Sequence, residues 1–246
     1  MNNTAIIIPT RLGAKRFPNK PLAKINNLEM IIHVLNKAKE SKVGEVYVAT
    51  PDKEIETIVK QNGGMAILTK DAHKTGSDRI YEVYSAVLKN SVDLIINLQG
   101  DMPNIKSNSI LKLERLMRSN KCDIGTLASH LKQKEINDKN VVKVSVEKKL
   151  EENSFIKAKD FTRELGRDYN LKDMYHHIGI YAFTNVALTK YVKLSRSKIE
   201  IERNLEQWRA MENDMIVKVG LSDSTPLSVD TEQDLEKLKD EMEKNG

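Results

Sequence analysis

The chain contains one cysteine, Cys122, among 246 residues. A lone thiol excludes an intrachain disulfide and a zinc site built from cysteines. Aromatic residues make up 5% of the chain, too few for the stacking surfaces that carry single-stranded nucleic acid. No run approaches the roughly 20 apolar residues of a membrane-spanning helix. The N-terminus lacks a basic region leading into an apolar segment and a small-residue cleavage site. These absences predict a cytoplasmic protein with neither a nucleic-acid nor a membrane partner. No Gly-x-Gly-x-x-Gly follows the first apolar run, and no Gly-Lys-Ser/Thr occurs anywhere, which disfavours a dinucleotide dehydrogenase or a Walker-type nucleotidase. Internal repeats, low-complexity segments and a clear linker are also missing.

What remains is mildly basic. Net charge is +5, and 30% of residues are charged with both signs interleaved, unlike the concentrated stripe of a nucleic-acid binder. The length allows one large α/β domain or a domain with an embedded subdomain. Over the first hundred residues the pattern alternates. Ala5–Pro9 reads as a buried strand, Met30 to Ala38 as a helix, and Glu45–Thr50 as a second strand. Asp52 is a plausible N-cap for a helix with Ile55, Ile58 and Val59 inward. Met65–Leu68 and Asp93–Leu98 read as further strands, with a capped helix from Thr75 between them. Such alternation argues for a parallel sheet with helices on both faces. The second half is less regular: strands at Asp123–Ser129, Val141–Val146, His177–Phe183 and Met215–Val219, a helix around Leu205 and Trp208, and an amphipathic tail helix. Between Lys148 and Asp173 the periodicity predicts no element.

The chemistry gathers at strand ends. After Pro9 comes a loop with Arg11, Lys15, Arg16 and Lys20, and ligands in open α/β sheets sit outside the carboxyl ends of strands. Four cations there suit a triphosphate, although a solvated basic turn has the same composition. Asp101 follows Gly100 at the end of another strand. A carboxylate there can hold Mg²⁺, which favours one or two carboxylates plus phosphate oxygens and water; the same Gly-Asp pair also serves as a plain turn. Asp230 is the natural second ligand, or simply the cap of the tail helix. The stretch His73 to Arg79 can bind an anion or a sugar hydroxyl at a helix start, or only cap that helix. His176 and His177, adjacent in a strand, point to opposite faces, so one of them is a better hydrogen-bonding group near substrate than the two are a metal pair. Trp208 reads as core or interface.

Seven motifs then occur in order. They are Ile7-Ile8-Pro9-x-Arg11-x-x-x-x-Arg16-x-Pro18-x-Lys20-Pro21-Leu22, His73 to Arg79, Gln99-Gly100-Asp101-x-Pro103, Asn140 to Val144, His177 to Tyr181, Leu205-Glu206-Gln207 and Val229-Asp230-Thr231. Together they resemble the 3-deoxy-manno-octulosonate cytidylyltransferase (CMP-Kdo synthetase) family over essentially the whole chain. The resemblance implies an α/β, nucleotide-diphospho-sugar-transferase-like three-layer fold with a mixed, mostly parallel central sheet and a smaller dimerisation and sugar-binding subdomain. Within a single domain, about 1–130 would form the nucleotide-binding half, about 131–215 the sugar and dimer subdomain, and about 216–246 would return to the core sheet. It also implies a homodimer that uses CTP and Mg²⁺ and makes CMP-Kdo for lipopolysaccharide biosynthesis.

Carried over by motif, Arg11, Lys20 and Asp101 would be catalytic. Arg11, Arg16, Lys20 and Gln99 would bind nucleotide, and Arg79, Gln99, His177 and Glu206 would bind sugar. Asp101 and Asp230 would hold the metal. The chain departs from the family pattern in three places. Gly13-Ala14-Lys15 stands where small hydroxyl residues are usual. Ile156 to Phe161 replaces a Ser-Arg-x-x-Ile-Pro segment and keeps only a cation. Arg203 stands where an acidic residue is usual. These positions leave open a different acidic sugar, such as 8-amino-Kdo or a sialic-type sugar, or an inactive nucleotide-binding relative.

Overall fold

The structure is a computed structural model, and it describes residues 3–13, 16–89, 91–166 and 169–244. The chain divides into two compact units, residues 1–111 with 226–246 and residues 112–225.

In the first unit, strands Thr4–Pro9 (β1), Glu45–Thr50 (β4), Met65–Leu68 (β5) and Leu94–Asn97 (β6) pair in the order β5-β4-β1-β6. Every pairing among them is parallel. Strands covered on both faces read as continuous apolar runs, and Ile6, Ile7 and Ile8 are all fully buried. Each such side chain contributes about 1.5–3 kcal/mol of transfer free energy. Between β1 and β4 lie a hairpin, Lys24–Ile25 (β2) and Leu28–Glu29 (β3), and helix Met30–Glu40 (α1). The hairpin turns on Asn26 and Asn27, both at positive φ (48° and 63°), the backbone that two-residue hairpins need and asparagine tolerates. Helices Lys53–Gln61 (α2) and Gly76–Val83 (α3) follow β4 and β5. Thr75 caps α3, its hydroxyl accepting the Asp78 N–H at 3.1 Å.

Helix Ser107–Ser119 (α4) follows β6. The second unit then contains Ile124–His130 (β7), Lys143–Val146 (β8), Phe155–Thr162 (β9), Met174–Thr184 (β10) and Val217–Leu221 (β11). Its strands run β10-β7-β11-β9-β8, with β8 also paired to β10. β11 lies parallel to β7, and the other pairings are antiparallel. Short helices Asn185–Tyr191 (α5), Lys198–Arg203 (α6) and Gln207–Met211 (α7) precede β11. β9 is the element that periodicity does not reveal: Lys157, Lys159 and Asp160 interrupt the alternation, and only half of its residues are buried. α6 carries a legible signal, the Ser197/Glu200 capping box. The last helix, Glu232–Lys244 (α8), belongs to the first unit. There Val229, Leu235 and Leu238 pack with Phe17, Ile25 and Met30 in one core cluster. No helix among the described residues is long and apolar enough to cross a membrane.

Candidate nucleotide site

The loops leaving β1 and β6 share a cavity of about 240 Å³, lined by Arg11, Lys20, His73, Arg79, Gln99 and Asp101 among others. Two glycines let neighbouring segments approach the end of β1, Gly100 from the loop after β6 and Gly76 from the start of α3. A Cβ on Gly100 would stand 3.3 Å from Thr10, and one on Gly76 would stand 3.3 Å from Pro9. Both contacts are tighter than ordinary packing, so neither position has room to spare.

Lys20 stands at the start of a tight turn, Lys20–Leu22, preceded by Asn19 in the left-handed region and followed by Pro21. Its ammonium donates to Asp101 Oδ2 at 2.9 Å, Asp230 Oδ1 at 3.4 Å and the Val229 carbonyl at 2.7 Å. The backbone explains why the two carboxylates meet. Val229 is fully buried, and its N–H donates to the Asp101 carbonyl at 3.0 Å. That bond sets the following residue, Asp230, beside Asp101. Asp230 does not cap the tail helix. Thr231 does so, its hydroxyl accepting the Asp234 N–H at 3.2 Å while Asp234 Oδ2 accepts the Thr231 N–H at 3.0 Å. The Asp230 carboxylate is left to Lys20 and to Arg16, whose Nη2 lies 3.0 Å away. Lys15 of the same loop lies outside the described residues.

Arg79 is buried, and its Nη1 donates to Thr69 Oγ1 at 2.5 Å and to the Lys70 carbonyl at 3.1 Å. Burial pushes its pKa down, and the nearby Arg11 charge pushes the same way. Two guanidinium charges that act on each other favour an anionic ligand. His73 pairs with Glu82, whose carboxylate also accepts the Lys70 N–H. Gln99 donates to the buried Asn97 side chain at 3.1 Å. Seven of the nine expected site residues (Arg11, Arg16, Lys20, Arg79, Gln99, Asp101 and Asp230) thus lie in the first unit. The sequence predicts Asp52 as a helix cap; the structure gives its carboxylate to the Leu12 N–H of the cationic loop, at 2.8 Å. No local sequence signal announces a contact across 40 positions.

His177 and Glu206 lie in the second unit. His177 Nε2 is 3.0 Å from Thr126 Oγ1, whose hydroxyl also lies 2.7 Å from the Ile180 carbonyl. A hydroxyl has one proton; with that proton on the carbonyl, Nε2 of the imidazole is the donor. The shift in β10 register between Ile178 and Tyr181 accompanies this arrangement. Burial, reinforced by the charges of His176 and Arg163, depresses the His177 pKa to about 3, so the ring is neutral near pH 7. His176 turns elsewhere, its Nδ1 lying 3.2 Å from Glu135. Tyr181 accepts a hydrogen bond from the Gln207 amide. Burial raises the Tyr181 pKa, and the Glu206 charge adds to the effect. Tyr181 and Gln207, which the motifs contain without a role assigned to them, join His177 and Glu206 as polar groups of the second unit. Trp208 donates to the Phe161 carbonyl at 2.9 Å, with Arg203 over its ring.

The departures at 156–161 and at Arg203 meet in space. Arg203 Nη1 donates to Asp160 Oδ1 at 2.6 Å and to the Phe161 carbonyl at 3.0 Å. The cation at 203 and the altered strand therefore form one compensating arrangement.

The cytidylyltransferase family model matches residues 5–218. A 3-deoxy-manno-octulosonate cytidylyltransferase of Bartonella tribocorum is 40% identical over 236 residues, covering 95% of this chain and 96% of that protein. The enzyme of the same description from Brucella canis is 39% identical over 238 residues, covering 96% of this chain and 94% of that protein. Among solved structures, a CMP:2-keto-3-deoxy-manno-octonic acid synthetase complexed with CTP matches over the full length of both chains, with a TM-score of 0.90 and 34% identity. Similarity of that extent, over a chain whose cationic loop and paired aspartates occupy one site, has a single reading: the chain belongs to the 3-deoxy-manno-octulosonate cytidylyltransferase family.

Proposed function

We propose that the protein transfers CMP from CTP to 3-deoxy-manno-octulosonate (Kdo), releasing pyrophosphate. The observation that carries this reading is the clasp of Asp101 and Asp230 about one ammonium, next to a cavity lined by Arg11, Gln99 and Arg79. In the reaction, the anomeric hydroxyl of the sugar attacks the α-phosphate in line, and the bond from that phosphorus to the β-phosphate bridging oxygen breaks.

The donor set fits Mg²⁺. Two carboxylates already share one cation position, with a backbone carbonyl beside them. Among the described residues there is no group of three or more His, Cys, Asp or Glu that could hold a metal, and Mg²⁺ needs only one or two carboxylates when phosphates and water complete its shell. Asp101 and Asp230 would hold it, and the ion would offset charge on the phosphates and polarise the reacting phosphorus.

The chain's own groups do the remaining work. Arg11 and Arg16 bind the triphosphate as it enters. Lys20 keeps the two carboxylates from repelling each other in the free protein and turns to the phosphates when the nucleotide is bound. Gln99 orients nucleotide and sugar. Arg79 with Gln99 in the first unit, and His177 with Glu206 in the second, contribute the sugar-recognising groups. Catalysis is positioning and charge stabilisation, and no side-chain nucleophile takes part. The protein works as a homodimer in the cytoplasm, feeding lipopolysaccharide synthesis.

A second reading keeps the chemistry and changes the sugar to 8-amino-Kdo or a sialic-type acid; the altered Ile156–Phe161 segment favours it. Pyrophosphate release from CTP with Mg²⁺ tests both readings, using Kdo, 8-amino-Kdo and N-acetylneuraminate as acceptors and ATP, GTP and UTP as controls. Release with CTP and Kdo alone is expected. Release with another acid selects the second reading, and no release with any acceptor refutes both.

A further inference from the structure

We propose that Asp52 is a positioning residue for the cationic loop, acting as a tether that holds the backbone beside Arg11 in its phosphate-binding arrangement. The inference rests on the reading of that loop as the triphosphate site.

Asp52 sits between β4 and α2 in extended backbone, at φ −98° and ψ 117°, the conformation of an N-cap. Aspartate is among the best N-cap residues because its carboxylate accepts N–H groups of the first turn. Here it makes no such bond, and α2 is left without a side-chain cap. The Asp52 N–H is held by Thr50 Oγ1 at 3.1 Å. Its Oδ2 accepts the Leu12 N–H at 2.8 Å. The acceptor that would cap the helix is thus directed at the loop.

That bond completes a pattern. On one side of Arg11, the Thr10 N–H donates to the Ala49 carbonyl at 3.0 Å. On the other side, Leu12 is tied to Asp52. The Leu12 carbonyl in turn accepts the Asn19 N–H at 3.1 Å, closing the loop just before Lys20. The chain carrying Arg11 is therefore pinned on both sides to β4 and the segment that follows it, which lowers the ordering cost of phosphate binding. Charge is not the reason for an acid here, because a carboxylate near a triphosphate repels it. Its charge is offset by Arg79, whose charged form it favours. What the site uses is a short acceptor at that place, which asparagine also supplies.

The test compares Asp52→Ala with Asp52→Asn. The alanine variant is expected to raise the CTP KM about tenfold, with kcat and the sugar KM within about twofold of wild type. The asparagine variant is expected to restore the CTP KM to within about twofold. Hydrogen exchange at the Leu12 amide, followed in the free protein, should quicken in the alanine variant and recover in the asparagine variant. An unchanged CTP KM in Asp52→Ala, with the wild type active, overturns the proposal. So does a lowered Tm with no change in CTP KM, which would make Asp52 a structural residue only. If the wild type fails to use CTP, the phosphate reading falls on its own account; the exchange rates still decide the tether, and an unchanged Leu12 rate overturns it.

Discussion

In the first unit, Asp101 and Asp230 share the Lys20 ammonium, and the Asp230 side chain keeps 38% of its surface in contact with solvent. In the second unit, Glu200 receives Arg209 through two bonds at 2.9 and 2.6 Å, and the two side chains keep 0% and 4% of theirs. Burial works against an ionised Glu200, but hydrogen bonds from Arg209 and Arg196 hold its pKa below the usual carboxylate range. Arg209 also lies over the Tyr191 ring at 4.8 Å. Two acid–base clusters do different work because water reaches the first more than the second. The Lys20 and Asp101 side chains keep 14% and 24% of their surface exposed, so this cluster is only partly desolvated, and a ligand can replace one partner at less cost than in a fully buried pair. A buried, fully bonded pair cannot be opened without stranding a charge.

If this contrast holds, the largest effect belongs to the locked pair. Glu200→Ala should lower unfolding stability by about 3–5 kcal/mol, since it leaves Arg209 buried without its partner; denaturant unfolding reads this, and the surviving folded fraction should keep its CTP KM. An equally damaging substitution at Asp230 would blur the distinction. On the exchangeable side, Asp101→Asn should reduce kcat by about 100-fold or more while Tm stays within a few degrees of wild type. Near-normal turnover would remove Asp101 from the metal site.

His177 sharpens the comparison through pH. Its folded pKa is about 3 against an ordinary value of 6.5. Below pH 6.5 the unfolded chain takes up a proton that the folded chain refuses, so this contribution to stability is present above pH 6.5. It is lost as pH falls from about 6.5 towards about 3, by roughly 1.4 kcal/mol per pH unit at most. Denaturation curves across that window should steepen accordingly, and His177→Gln should flatten them. An unchanged slope in the variant would assign the acid sensitivity elsewhere. The smallest effect is expected at Arg11, where removal of one exposed cation among several should raise the CTP KM about 20-fold, or ~1.8 kcal/mol, more than loss of its Asp52 tether, without altering the sugar KM. Equal losses for both substrates would argue against a phosphate role.

How legible these features were depended on range. β4 is legible in the sequence with the bounds found here, Glu45–Thr50, because a strand buried on both faces writes its burial as an apolar run; β5, Met65–Leu68, is an edge strand with Met65 and Leu68 exposed, and its apolar run alone marks it. The Thr75 cap was legible for a similar reason, as its partner lies three residues away. β9 was not, since a partly exposed strand with three charges has no clean period. The β2–β3 hairpin has strands of two residues each, too short for a period to show, and only Asn26-Asn27 marks it. The functional residues were legible as residue types at strand exits, but their partners were not. Lys20 was read as a phosphate ligand, and in the free protein it bonds both aspartates.

By itself the sequence determined which groups the protein can use: a cationic loop after the first strand, aspartates at two separated positions, and motifs in an order that identifies the family. These are local facts, set by residue chemistry and by periods of two and 3.6. Only the tertiary structure decided which charges meet. Asp101 and Asp230 stand 129 positions apart in the sequence, and they come together because a buried Val229 donates its N–H to the Asp101 carbonyl. Asp52 gives up a cap two or three residues away for a loop 40 residues back. Such choices depend on where the folded backbone leaves unpaired groups, and that is a property of the packed chain, not of any stretch of it.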